Sequence, residues 1–133
     1  MYFPDLTPYE YGQTEPQPNV LNVGWLSAAQ AFPVGIPDEQ LVRAVERLIA
    51  SPVNLTRGWH FCEFCPKPAK TVSPGRIRML DPAARTLGNG EIRVASAAGI
   101  IYVAPLLVLH YVVAHGYLPP QEFIDAVIEW SAT

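Results

Sequence analysis

"EIRVASAAGIIYVAPLLVLHYVVAHG", residues 91–116, holds in one run the elements that decide the fold. "EIRVA" (91–95) and "IIYVA" (100–104) are β-prone and flank the small-residue turn "SAAG", which is the pattern of a hairpin. Pro105 ends the second strand. "LLVLHYVVAH" after it is apolar nearly all round, as a buried central helix is. Gly116 directly follows His115 and is expected to stop that helix.

Two more helices are expected on either side. Downstream, "PP" (119–120) opens a segment whose Phe123, Val127 and Trp130 form an apolar stripe opposite Glu122, Asp125 and Glu129. Upstream, "PDEQLVRAVERLIAS" (37–51) starts at Pro37 or Asp38, with acidic residues in the first turn where the helix dipole favours them. Leu41, Val45, Leu48 and Ile49 follow helical spacing, and Pro52 stops the helix. "VLNVGWL" (20–26) alternates as a strand does, and "RIRML" (76–80) is a second short candidate. The expected class is α+β: a small antiparallel sheet packed with about three helices, in a single domain spanning 1–133. Residues 1–19 carry Tyr2, Phe3, Tyr9 and Tyr11 among prolines, which suits an extended aromatic arm packed on the core.

With 133 residues, half of them apolar and 16% charged, the chain has material for a real core and does not read as disordered. Fourteen prolines punctuate a loop-rich fold. The N-terminal segment lacks the basic and apolar regions of a secretory signal, and Pro105 with two histidines interrupts the longest apolar run. A cytoplasmic protein with no membrane span is therefore expected. The net charge of −3 is uneven: residues 57–93 carry seven basic against three acidic side chains, and the remainder two against nine. Solvated loop charges explain this most simply, with a nucleic-acid face as an alternative.

The two cysteines stand together in "GWHFCEFC" (58–65). A Cys-x-x-Cys turn aims both sulfurs at one point and supplies half of a tetrahedral zinc site. If the stretch is extended, His60 shares a face with Cys62. His110 is flanked by apolar residues and should point inward. His115 ends the helix, where its charge would also complement the terminal carbonyls. On a regular helix the two histidines point about 140° apart, so they should not share one metal. The expected ligands of a structural zinc are thus His60, Cys62, Cys65 and His110, with His115 in reserve. Such a site would pin the long connection 51–75, whose length calls for an organising feature.

Two further readings of the cysteines are weaker. A redox pair wants the first cysteine at a helix N-terminus after a strand, whereas Pro66 and Pro68 follow here. Packed free thiols need no further signal. A catalytic zinc requires an open position and a nearby base; Glu63 is in reach, but the deaminase pattern fails because Phe61 and Cys62 stand where it needs a proline and an acid. No catalytic residue is assigned.

"YFPDLTPYEYG", "NVGWLS", "PVNLTRGWHFCEFC", "EIRV", "IIYVAP" and "HYVVAHGYLPPQEFIDAV" together resemble a family of short, uncharacterised bacterial proteins. The resemblance runs nearly the whole chain and is most specific in "HFCEFC" and "HYVVAHGYLPP". It implies a bacterial, cytoplasmic origin and no assigned activity. Members carry a histidine where this chain has Gln30. The function expected first is a non-enzymatic interaction module, immunity-like, with a protein partner rather than nucleic acid or a membrane. A small metal-dependent enzyme is the second reading, and a nucleic-acid-binding module using 57–93 the third.

Overall fold

The computed structural model describes residues 2–9, 17–50, 60–65, 87–88 and 90–132, with the backbone alone for 17, 18, 60, 61, 87 and 88. The fold is α+β, with a four-stranded sheet, a two-stranded ribbon and three helices among these residues. The strands are β1 (Pro8–Tyr9), β2 (Gln17–Asn22), β3 (His60–Phe61), β4 (Leu87–Gly88), β5 (Glu91–Ala95) and β6 (Ile101–Pro105). The helices are α1 (Glu39–Ile49), α2 (Val108–His115) and α3 (Gln121–Ser131). "RIRML", Pro52 and most of the 51–75 connection lie outside the described residues.

The hairpin forms as its sequence dictates, with β5 and β6 antiparallel from Glu91 opposite Pro105 to Ala95 opposite Ile101. The sheet order is β1-β2-β6-β5, and the sheet is mixed rather than antiparallel throughout. β2 runs parallel to β6, pairing Val20 with Ile101 and Asn22 with Val103. The cause is topological: β2 and β6 are far apart in sequence, which leaves room for the crossover that a parallel pair requires.

The N-terminal arm is bound to this sheet. β1 pairs antiparallel with β2, Tyr9 is buried, and Phe3 meets Trp25 edge-to-face at 5.7 Å. Trp25 in turn donates from Nε1 to the Val103 carbonyl at 3.0 Å, so one indole joins the arm to β6.

Asp38 caps α1 by accepting from the Gln40 amide, and Leu41, Ala44, Val45 and Leu48 form its buried stripe. That stripe packs on α2, α3 and β5. α2 buries Val108, His110, Tyr111 and Val112 at the centre of the core. Its end is set by Gly116, which takes a left-handed φ of +68° that a side chain would disfavour. Gly24 is equally specific: its φ is +78°, and a Cβ there would lie 2.9 Å from Val108 Cγ2.

Candidate metal centre

Cys62 and Cys65 follow β3 in a tight turn closed by the Cys65 amide on the Cys62 carbonyl at 3.4 Å. Both sulfurs face α2. There the structure gathers Cys62, Cys65, His110 and His115, each offering one ligand atom, with all four atoms within 4.8 Å of one another. Two of them, Cys62 and His110, are buried, and the other two are half-buried.

Four of the six donor–donor separations are close to those around one tetrahedral ion. Cys65 Sγ lies 3.2 Å from His110 Nε2 and 3.4 Å from His115 Nε2, while Cys62 Sγ lies 3.4 Å from His115 Nε2. The two Nε2 atoms are 3.2 Å apart. Metal–sulfur and metal–nitrogen bonds of zinc length give tetrahedral edges of about 3.6 Å for S–N and about 3.4 Å for N–N. Two cysteines and two histidines at these distances could hold a metal ion.

Both histidines belong to the cluster, against the expectation that a regular helix would separate them. The last turn of α2 is not regular. The Gly116 amide reaches the Tyr111 carbonyl five residues back, and the Tyr117 amide bonds the same oxygen at 3.1 Å. An i→i−5 bond is a wider turn than the α-helix makes, and it carries His115 round toward His110. The signal was present in the spacing. Zinc-binding histidine pairs are typically separated by roughly three to five residues, and four residues separate these two. The backbone of His60 pairs with Gly88 in the β3–β4 ribbon, while its side chain lies outside what the structure describes.

Side chains on several elements pack around the Cys-x-x-Cys turn. Phe64 packs edge-on against Tyr111 at 5.9 Å and Phe32 at 5.2 Å, and against the His115 ring at 5.2 Å. Glu63 turns outward, and its Oε1 accepts from the Ala28 amide at 3.0 Å and the Ser27 hydroxyl at 3.3 Å. Burial pushes the Cys62 thiol up to about 11, with Cys65 adding to the rise and the Phe64 and Cys65 amides acting in the opposite direction. Metal coordination would offset that burial by supplying the positive charge a buried thiolate needs.

The protein is thus an α+β domain with a two-cysteine, two-histidine cluster seated on its central helix. The chain belongs to the family described as Domain of unknown function (DUF7919), whose model matches residues 1–128. No curated protein and no solved structure matches it.

Proposed function

We propose that this chain is a zinc-stapled, non-enzymatic protein-interaction module of the bacterial cytoplasm. The observation that carries the reading is the donor set, two sulfurs and two imidazole nitrogens all within 4.8 Å of one another. Such a mixed set favours zinc over calcium or magnesium, which take oxygen ligands. Four protein donors fill a tetrahedral shell and leave no position for water or substrate, which is the mark of a structural site. Glu63, the nearest carboxylate in the sequence motif, is engaged by the 27–28 backbone and hydroxyl rather than aimed at the donors.

The interaction part of the reading rests on exposed apolar side chains that the core does not use. Val34 is 67% and Ile36 94% exposed, and Leu118 stands beside the same loop. The partner on this reading is another bacterial protein, and an immunity-like pairing with a toxin suits so small a domain. No described helix is long and apolar enough to cross a membrane. The basic excess of 57–93 lies mostly outside the described residues.

The test is metal content by mass spectrometry on protein purified without an affinity metal, beside a Cys62→Ser, Cys65→Ser double variant. About one zinc per chain, lost in the variant, is the expected result. Metal-free wild-type protein would overturn the staple. Reproducible turnover abolished by one point substitution would overturn the non-enzymatic reading.

A further inference from the structure

The loop of residues 27–36 is exposed at nearly every position, yet it is held at three points. At its start, the Ala28 amide and the Ser27 hydroxyl donate to Glu63. In its middle, Phe32 is its inward anchor, packed on Phe64 at 5.2 Å and Tyr117 at 6.1 Å. At its end, the Gly35 amide donates to the Gly116 carbonyl and the Leu118 amide to the Pro33 carbonyl, both at 2.9 Å. Glu63 and Phe64 lie between the two cysteines, and Gly116 directly follows His115. Each of the three holds therefore includes a residue that is next in sequence to Cys62, Cys65 or His115.

Building on the metal-bound reading above, we propose that the cluster gates this loop: metal binding fixes the Cys-x-x-Cys turn and the end of α2, and Glu63 is the latch that transmits the order to residues 27–36. The geometry makes Glu63 a positioning residue. It is exposed, it is not one of the four donors, and its two hydrogen bonds end on the loop. With metal bound, the two sides of the loop are clamped at a fixed separation, and Val34 and Ile36 are presented on a defined backbone. Without it, the Cys-x-x-Cys turn meets α2, among the described residues, through thiol–imidazole contacts and the packing of Phe64, which are weaker than metal bonds, and the latch has a less fixed seat.

Amide hydrogen exchange read by NMR separates this proposal from the metal reading on which it rests. The full chain is compared with bound zinc, after chelation, and as Glu63→Ala and Glu63→Gln variants whose zinc content is measured first. The reporters are the Ala28, Gly35 and Leu118 amides; the reference is the Val23 amide, which bonds the Val103 carbonyl at 2.9 Å inside the sheet. Chelation is expected to speed the reporters by about tenfold or more while Val23 changes less. Glu63→Ala, with its zinc intact, is expected to speed Ala28 to a similar degree, and Glu63→Gln, which keeps an acceptor, to restore part of the protection. If chelation opens Val23 together with the loop, the zinc-loaded Glu63→Ala protein alone decides. Wild-type protection of Ala28 in that variant would overturn the latch and leave the metal site standing. Absence of zinc from the wild type would overturn the metal reading itself, and the gating with it.

Discussion

The Nε2 atoms of His110 and His115 lie 3.2 Å apart although the residues are five positions apart on α2. The widened last turn closed on the Tyr111 carbonyl makes this possible, and Gly116 makes that turn possible by accepting a positive φ. On the zinc reading proposed above, both imidazoles complete the four donors, so His110→Ala and His115→Ala should each weaken zinc binding by more than about 100-fold, the upper range for losing a group that merely orients a ligand. They should differ in the metal-free protein. His110 is 2% exposed, and its truncation leaves a cavity in the core, whereas His115 is half-buried. On the same reading His60→Ala should leave the zinc content unchanged, because Cys62, Cys65, His110 and His115 supply four donors. Competition titration with a chromophoric chelator, beside thermal unfolding with and without zinc, reads all three.

Much of this architecture was legible in short segments. The β5–β6 hairpin, the three helices and the inward aim of His110 follow from period, caps and turn residues, all of which act over a few neighbours. The parallel β2–β6 pair was not legible, because strand direction is set by a crossover whose path no local pattern records. The convergence of His110 and His115 was misread for a related reason. Helical periodicity assumes a regular turn, and the deviation here depends on a hydrogen bond made after the helix has ended.

Asp5 ties the N-terminal arm to the end of α2. Its Oδ1 accepts from the Gly24 amide at 3.0 Å and its Oδ2 from the Tyr117 hydroxyl at 2.8 Å. Tyr117 is 1% exposed, and burial followed by the Asp5 charge pushes its phenol upward, so it remains a donor. Asp5→Ala should cost about 2–3 kcal/mol by stranding that hydroxyl, and Tyr117→Phe about 1–2 kcal/mol. The double variant should cost less than the two together, a non-additivity that urea unfolding can measure. Gly24→Ala should cost at least about 2 kcal/mol, combining an unfavourable φ with the contact on Val108.

Tyr102 confers a specific alkaline dependence. It is 2% exposed and donates to Glu122 Oε2 at 3.0 Å; burial first, and then the Glu122 carboxylate, push its phenol up to about 12. The folded protein thus holds this proton more tightly than the unfolded chain, whose tyrosines ionise near about 10. The stability linked to it is fully present below that pH and is lost as pH rises toward about 12. Tyr102→Phe should flatten the fall in unfolding midpoint over this window, and absorbance at 295 nm should show the Tyr102 signal moving with unfolding rather than before it.

Glu91 is fully buried at the start of β5, where its Oε1 accepts from the Tyr9 hydroxyl at 3.1 Å and faces the Arg93 guanidinium at 3.4 Å. The same guanidinium stacks over the Tyr9 ring at 5.0 Å, so three side chains join the arm to the far edge of the sheet. A buried carboxylate is costly to leave with less compensation than it had, which makes the loss of Arg93 more than a surface change. Because Arg93 is about one-third exposed and the ion pair is long, the cost of Arg93→Ala should be at the lower end for buried pairs, about 2 kcal/mol. Adding Glu91→Gln to that variant removes the buried charge while keeping an acceptor for Tyr9, and should restore about half of the loss. If the double variant is instead less stable than Arg93→Ala alone, the Glu91 carboxylate is held by its other partners, the Tyr9 hydroxyl among them, and not by the Arg93 charge.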